Sequence, residues 1–199
     1  MYSSYLSNLP PKIKLIFSVA EDIFNLPYET KYKYHIKGSN GARGYTPFGK
    51  ETALGENVAD LKEFWHVGRE LPQEHPLFSA YMPNVWPEEI ERFKPVMLNL
   101  YQALEECSNI LLRGLALYME QEEDRFTSIT DEGNSILRVL HYPSLENQKV
   151  IPGAVRAAAH EDINIITLLI ASTSSGLQLL NRKGEWLNVS VEPGEIVAD

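Results

Sequence analysis

From Ser135 onward the chain is a succession of short β-favouring runs cut by turn residues. The runs are Ser135–Tyr142, Ile163–Ala171, Leu177–Leu180, Trp186–Val189 and Glu195 onward. Turn signals stand at Gly153, Ser174-Ser175-Gly176, Lys183-Gly184 and Pro193-Gly194. Strands at this spacing point to a sandwich or barrel.

The first part of the chain has a different period. Ile13, Ile16, Phe17, Ala20, Ile23 and Phe24 recur at intervals of three and four, which predicts an amphipathic helix from Pro10 to about Lys33, stopped or turned at Leu26-Pro27. A second helical block is predicted from Pro87 to about Glu120. Pro87 suits a first helical position, Glu88 and Glu89 suit the dipole, and Pro95 is expected to kink or divide the block. Val96, Met97, Leu100, Tyr101, Leu104, Cys107, Ile110 and Leu111 read as its core-packing stripe. Between the blocks, the glycine-rich segment Gly38 to Pro47 reads as a loop without the strand-before, helix-after setting of a phosphate cradle. Phe64-Trp65-His66-Val67 reads as a short strand.

With 199 residues the chain is of single-domain size. Its 27 acidic and 18 basic residues give a net charge of −9, and no block of Lys and Arg offers the positive patch that nucleic acid needs. Cys107 is the only cysteine, so no internal disulfide forms and a reducing cytoplasm is expected. Neither a signal-peptide start nor an apolar run of membrane-spanning length is present, so secretion and membrane insertion are unsupported.

His160-Glu161-Asp162 opens the most apolar of the predicted strands. Side chains two apart on a strand share a face, so an imidazole and a carboxylate at this spacing can grip one metal ion. One more histidine would complete the two-histidine, one-carboxylate set of non-haem iron(II) oxygenases. On spacing alone, a plain strand-end pair and a zinc hydrolase site compete with that reading.

The wider sequence resembles the isopenicillin N synthase-like oxygenases, which depend on iron(II) and 2-oxoglutarate. The resemblance rests on Leu137 to Pro143, His160 to Leu169, Gly176 to Leu180, Gly184 to Val189 and Pro193-Gly194, with Arg43 to Gly49 and Lys62 to Val67 upstream. It implies an α+β fold, a double-stranded β-helix or jelly roll with flanking helices. Residues 1–120 would form the N-terminal helical region with short strands, and residues 121–199 the first part of the iron and 2-oxoglutarate core. His160 and Asp162 would bind Fe(II), and Tyr142 would help hold 2-oxoglutarate. With O2, the cosubstrate would be decarboxylated to succinate while a small organic substrate is oxidised. Arg43, Tyr45 and His66 are candidates for substrate contact, and His66 is also a candidate third ligand.

The family's second iron histidine and the Arg-x-Ser pair that follows it have no counterpart here, because no histidine follows His160 and no arginine follows Arg182. The expectation is therefore a jelly roll incomplete on its C-terminal side, either because the chain is shortened or because something else completes it, and the chain as given is expected to bind iron weakly and not to turn over 2-oxoglutarate. The alternative is a non-catalytic jelly-roll binding module.

Overall fold

The computed structural model describes residues 9–52, 58–146, 150–170, 173–192 and 194–199. It divides into a larger unit, Val19–Glu161, and a smaller one built on Asp162–Asp199.

The first predicted helix forms as α1, Pro11–Asn25, with Val19, Ile23 and Phe24 buried. Pro27 ends it by excluding helical geometry before itself, and a short α2, Tyr28–Tyr32, follows. The second block differs from expectation. Helix α3 runs unbroken from Phe93 to Tyr118, and Glu88-Glu89 lie in a turn. Pro95 is the third helical residue, where a missing N–H costs nothing, and the next amide, Val96, starts the ladder by bonding Arg92 O at 3.2 Å. Met97, Leu100 and Tyr101 are buried as expected, and Phe93 joins them, but Ile110 is 70% and Leu111 40% exposed, so the core stripe fades along the second half. At the end, Glu120 takes φ 53°, letting Glu120 N–H bond Leu117 O at 3.1 Å and Gln121 N–H bond Ala116 O at 2.9 Å. That is a Schellman closure made without glycine. A one-turn helix, α4, Thr127–Thr130, was not expected from the sequence; its residues lack an apolar stripe, and the Thr127 and Thr130 hydroxyls donate back to Asp124 O and Phe126 O, both at 3.2 Å.

Three strands make one antiparallel sheet in the larger unit: β1, Gly44–Thr46; β2, Glu63–Gly68, in the middle; and β3, Ile136–His141. Strand β1 lies inside the segment expected to be loop. Its Tyr45 faces Trp65 in register, and a strand of three residues shows no period for sequence to reveal. Its entry depends on Gly44 at φ 71°, where a Cβ would come within 2.5 Å of Tyr34 O. Helix α3 covers the sheet, with the Phe93 ring edge-on to Trp65 at 5.2 Å and both residues fully buried.

In the smaller unit β4, Leu168–Ile170, pairs with β7, Ile196–Ala198, and β5, Gln178–Leu180, pairs with β6, Trp186–Asn188. The β5–β6 hairpin turns through Gly184 at φ 79°, with Asn181 N–H on Glu185 O at 3.0 Å. The expected strand Ile163–Ala171 is shorter than predicted. The Thr167–Asp199 backbone pair is the last of its ladder, so residues before Thr167 lack a strand partner and Ile163 is fully exposed. Ala171 and Pro193 lie outside the described residues; Gly194 has φ 96°.

Candidate metal and cosubstrate site

His160 and Asp162 are not strand residues, which corrects the geometric premise drawn from their spacing. Each is exposed and is placed by its own unit. His160 Nδ1 lies 2.8 Å from Ala158 O. A carbonyl only accepts, so Nδ1 carries the proton and the ring's lone pair sits on Nε2, the form in which histidine binds a metal. Asp162 Oδ2 accepts from the Thr167 hydroxyl at the start of β4, and Thr167 in turn receives Asn164 Nδ2 at 2.9 Å. The donors fit iron(II) in kind, one imidazole and one carboxylate. Among the described residues no group of three or more His, Cys, Asp or Glu converges.

Tyr142 follows β3 directly. Burial raises its phenol above the ordinary value, so it keeps its proton as a hydrogen-bond donor at neutral pH. Arg156 Nη1 reaches the carbonyls of Tyr142 and Pro143, both at 3.3 Å.

Of the three residues expected near substrate, two are buried and His66 is half-buried. Arg43 and Tyr45 are each 1% exposed. Arg43 donates to Asn134 Oδ1 and to Ala42 O, both at 2.7 Å, and burial lowers its guanidinium pKa. Tyr45 gives its hydroxyl to Glu63, which also receives Lys31 Nζ at 2.8 Å and His141 Nδ1 at 2.8 Å. Burial alone would raise the Glu63 carboxyl, but the bonds from His141, Lys31 and Tyr45 outweigh it and hold it below its ordinary value. His66 has partners at both ring nitrogens, Gly41 O at 2.6 Å and Arg138 Nε at 2.8 Å.

The sequence reading missed the charges at the entry to β2. Asp60 is 2% and Lys62 4% exposed, and Lys62 Nζ sits 2.7 Å from both Asp60 and Glu51, with Arg138 also on Glu51. The signal was present, an acidic and a basic residue two apart leading straight into an aromatic strand.

Two family models match the chain: the non-haem dioxygenase N-terminal region over residues 8–89, and the 2OG-Fe(II) oxygenase superfamily over residues 133–199. The chain belongs to the 2-oxoglutarate and iron(II) oxygenases. This family uses Fe(II), 2-oxoglutarate and O2. The oxygenase chain is 32% identical over 191 residues to a 2-oxoglutarate-Fe(II) type oxidoreductase of Aspergillus fumigatus, covering 92% of the chain and 56% of that protein. It is 28% identical to a homoarginine-6-hydroxylase of Arabidopsis thaliana, over 94% of the chain and 58% of the relative. Among solved structures, a 2OG-Fe(II) oxygenase family protein from Caulobacter crescentus matches with TM-score 0.82 and 42% identity, over 94% of this chain and 60% of that one. A full-length Neurospora crassa protein solved in complex with alpha-KG matches with TM-score 0.80 and 30% identity, over 96% and 59%. The chain thus spans little more than half the length of the proteins it resembles.

Proposed function

We propose that this chain supplies His160 and Asp162 to an iron(II) centre, and Tyr142 to 2-oxoglutarate, in an oxygenase that oxidises a small organic substrate. The observation that carries the reading is the imidazole and carboxylate pair inside the matched oxygenase segment, with the His160 tautomer already set for metal by Ala158 O. Bound iron(II), with 2-oxoglutarate and O2, supplies the oxidising chemistry and yields succinate and carbon dioxide. The chain's own share is to hold donors and cosubstrate in place. His160 Nε2 presents a lone pair, the Thr167 hydroxyl orients Asp162, and the Tyr142 phenol donates to a cosubstrate carboxylate.

In this reading the fold is a jelly roll with flanking helices, with residues 1–120 as its helical region and 121–199 as the first part of its core. The exposed apolar side chains of Leu179, Leu180, Trp186 and Leu187 support it, since a two-stranded hairpin buries too little to stand alone. Arg43, Tyr45 and His66 are proposed on the substrate side of β1 and β2. Their interior partners mean that direct contact requires local rearrangement. The binding-module alternative is not favoured, because the relatives are named as oxidoreductases and hydroxylases.

The test is O2-dependent formation of succinate from 2-oxoglutarate with Fe(II), using the protein that carries this sequence and its His160→Ala variant. Succinate above background that the variant loses supports the reading. No succinate, or succinate unchanged in the variant, overturns it.

A further inference from the structure

The segment that leads to His160 is mostly exposed, with Ile151 at 64% and Val155 at 49%. It is nevertheless tied at two nearby points to the entry of β2. Leu61 N–H donates to Val155 O at 3.0 Å, and Ala158 N–H donates to Asp60 Oδ1 at 3.0 Å. Asp60 is 2% exposed, and its second oxygen receives Lys62 Nζ at 2.7 Å. Lys62 is held from its other side by Glu51 at 2.7 Å. Both backbone groups of Ala158 are therefore engaged in one line: its N–H is fixed by Asp60, and its C=O receives His160 Nδ1–H at 2.8 Å.

We propose that Asp60, with Lys62 as its counter-ion, is a positioning residue for His160, acting through Ala158 to set the imidazole's tautomer and direction. This rests on the reading of His160 as a metal ligand. Groups that orient a ligating histidine from outside the coordination sphere commonly change metal affinity by about 10–100-fold when removed. Here the orienting carboxylate does not touch the ring. It fixes the residue whose backbone carbonyl does.

A buried ion pair that served only the fold would not need the Ala158 amide, and that difference is measurable. Mn(II) binding to the protein that carries this sequence is followed by loss of the free-ion EPR signal, alongside hydrogen exchange of the segment 155–161 and thermal unfolding, for wild type, Asp60→Ala and Asp60→Asn. Asp60→Ala is expected to weaken Mn(II) binding by about 10–100-fold and to speed exchange in the segment. Asp60→Asn keeps an oxygen for the Ala158 N–H while Lys62 keeps Glu51, so its binding is expected to stay within several-fold of wild type. Wild-type affinity in Asp60→Ala overturns the inference, and so does an Asp60→Asn that unfolds normally yet binds weakly. Wild-type protein carrying this sequence that binds no Mn(II) overturns the metal reading of His160 itself, a result distinguishable from the other two.

Discussion

Arg138 donates its Nε–H to His66 Nε2 at 2.8 Å, while His66 Nδ1 faces the Gly41 carbonyl oxygen at 2.6 Å. An imidazole that accepts on one nitrogen and donates on the other is neutral. Burial first, and the Arg138 charge second, push the His66 pKa down to about 4. The folded state therefore refuses a proton that the unfolded chain accepts. The stability this represents is fully present above the unfolded value of about 6.5, and is lost as pH falls from there toward about 4, up to ~3 kcal/mol. Urea midpoints measured from pH 7 to pH 4 should fall, and His66→Gln should flatten the decline. An equal decline in the variant would contradict the assignment.

Glu63 and Lys31 form a buried ion pair, with Glu63 5% and Lys31 7% exposed. Glu63→Gln leaves the Lys31 ammonium with Phe24 O, at 2.9 Å, and no carboxylate; the expected cost is about 3–5 kcal/mol in denaturant unfolding. Adding Lys31→Met should recover a large part of it. Strict additivity of the two single changes would show that the pair is not coupled.

Gly44→Ala forces a side chain into a positive-φ position whose Cβ would lie 2.4 Å from Val85 Cγ2 and 2.5 Å from Tyr34 O. Because one of those atoms is backbone, relaxation is limited, and a loss of at least ~2 kcal/mol is expected. An unfolding midpoint at the wild-type value would mean that β1 enters the sheet differently.

Glu120→Gly should have the opposite sign. Glycine at φ 53° removes the Cβ strain of the α3 closure without touching its two hydrogen bonds, for a gain of ~0.5–1 kcal/mol. A loss of stability would show that the Glu120 side chain contributes more than its conformation costs.

The parts of the fold that repeat a period were legible in the sequence. Helix α1 announced itself through Ile23, Phe24 and the apolar residues before them, and β2, β3 and the β5–β6 hairpin through β-favouring runs with turn residues between them. The parts set by partners were not. Strand β1 exists because Tyr45 pairs with Trp65, and the strand after Asp162 begins only at Leu168 because backbone pairing decides its length. Pro95 leaves α3 whole, against expectation, because its effect depends on where in the helix it falls, and that required the start at Phe93. For the candidate site, residue type and spacing picked out His160 and Asp162. Asp60 lies 98 residues from the amide it holds, a distance over which no local pattern reaches.

The central claim is tested most directly by anaerobic titration of the protein that carries this sequence with Fe(II) in the presence of 2-oxoglutarate, following the weak visible charge-transfer band of the chelate, in wild type, His160→Ala and Asp162→Ala. The account predicts a saturable band in wild type and at least ~10-fold weaker saturation in each variant, with unfolding unchanged. No band in wild type, or a band of equal affinity in both variants, would contradict it.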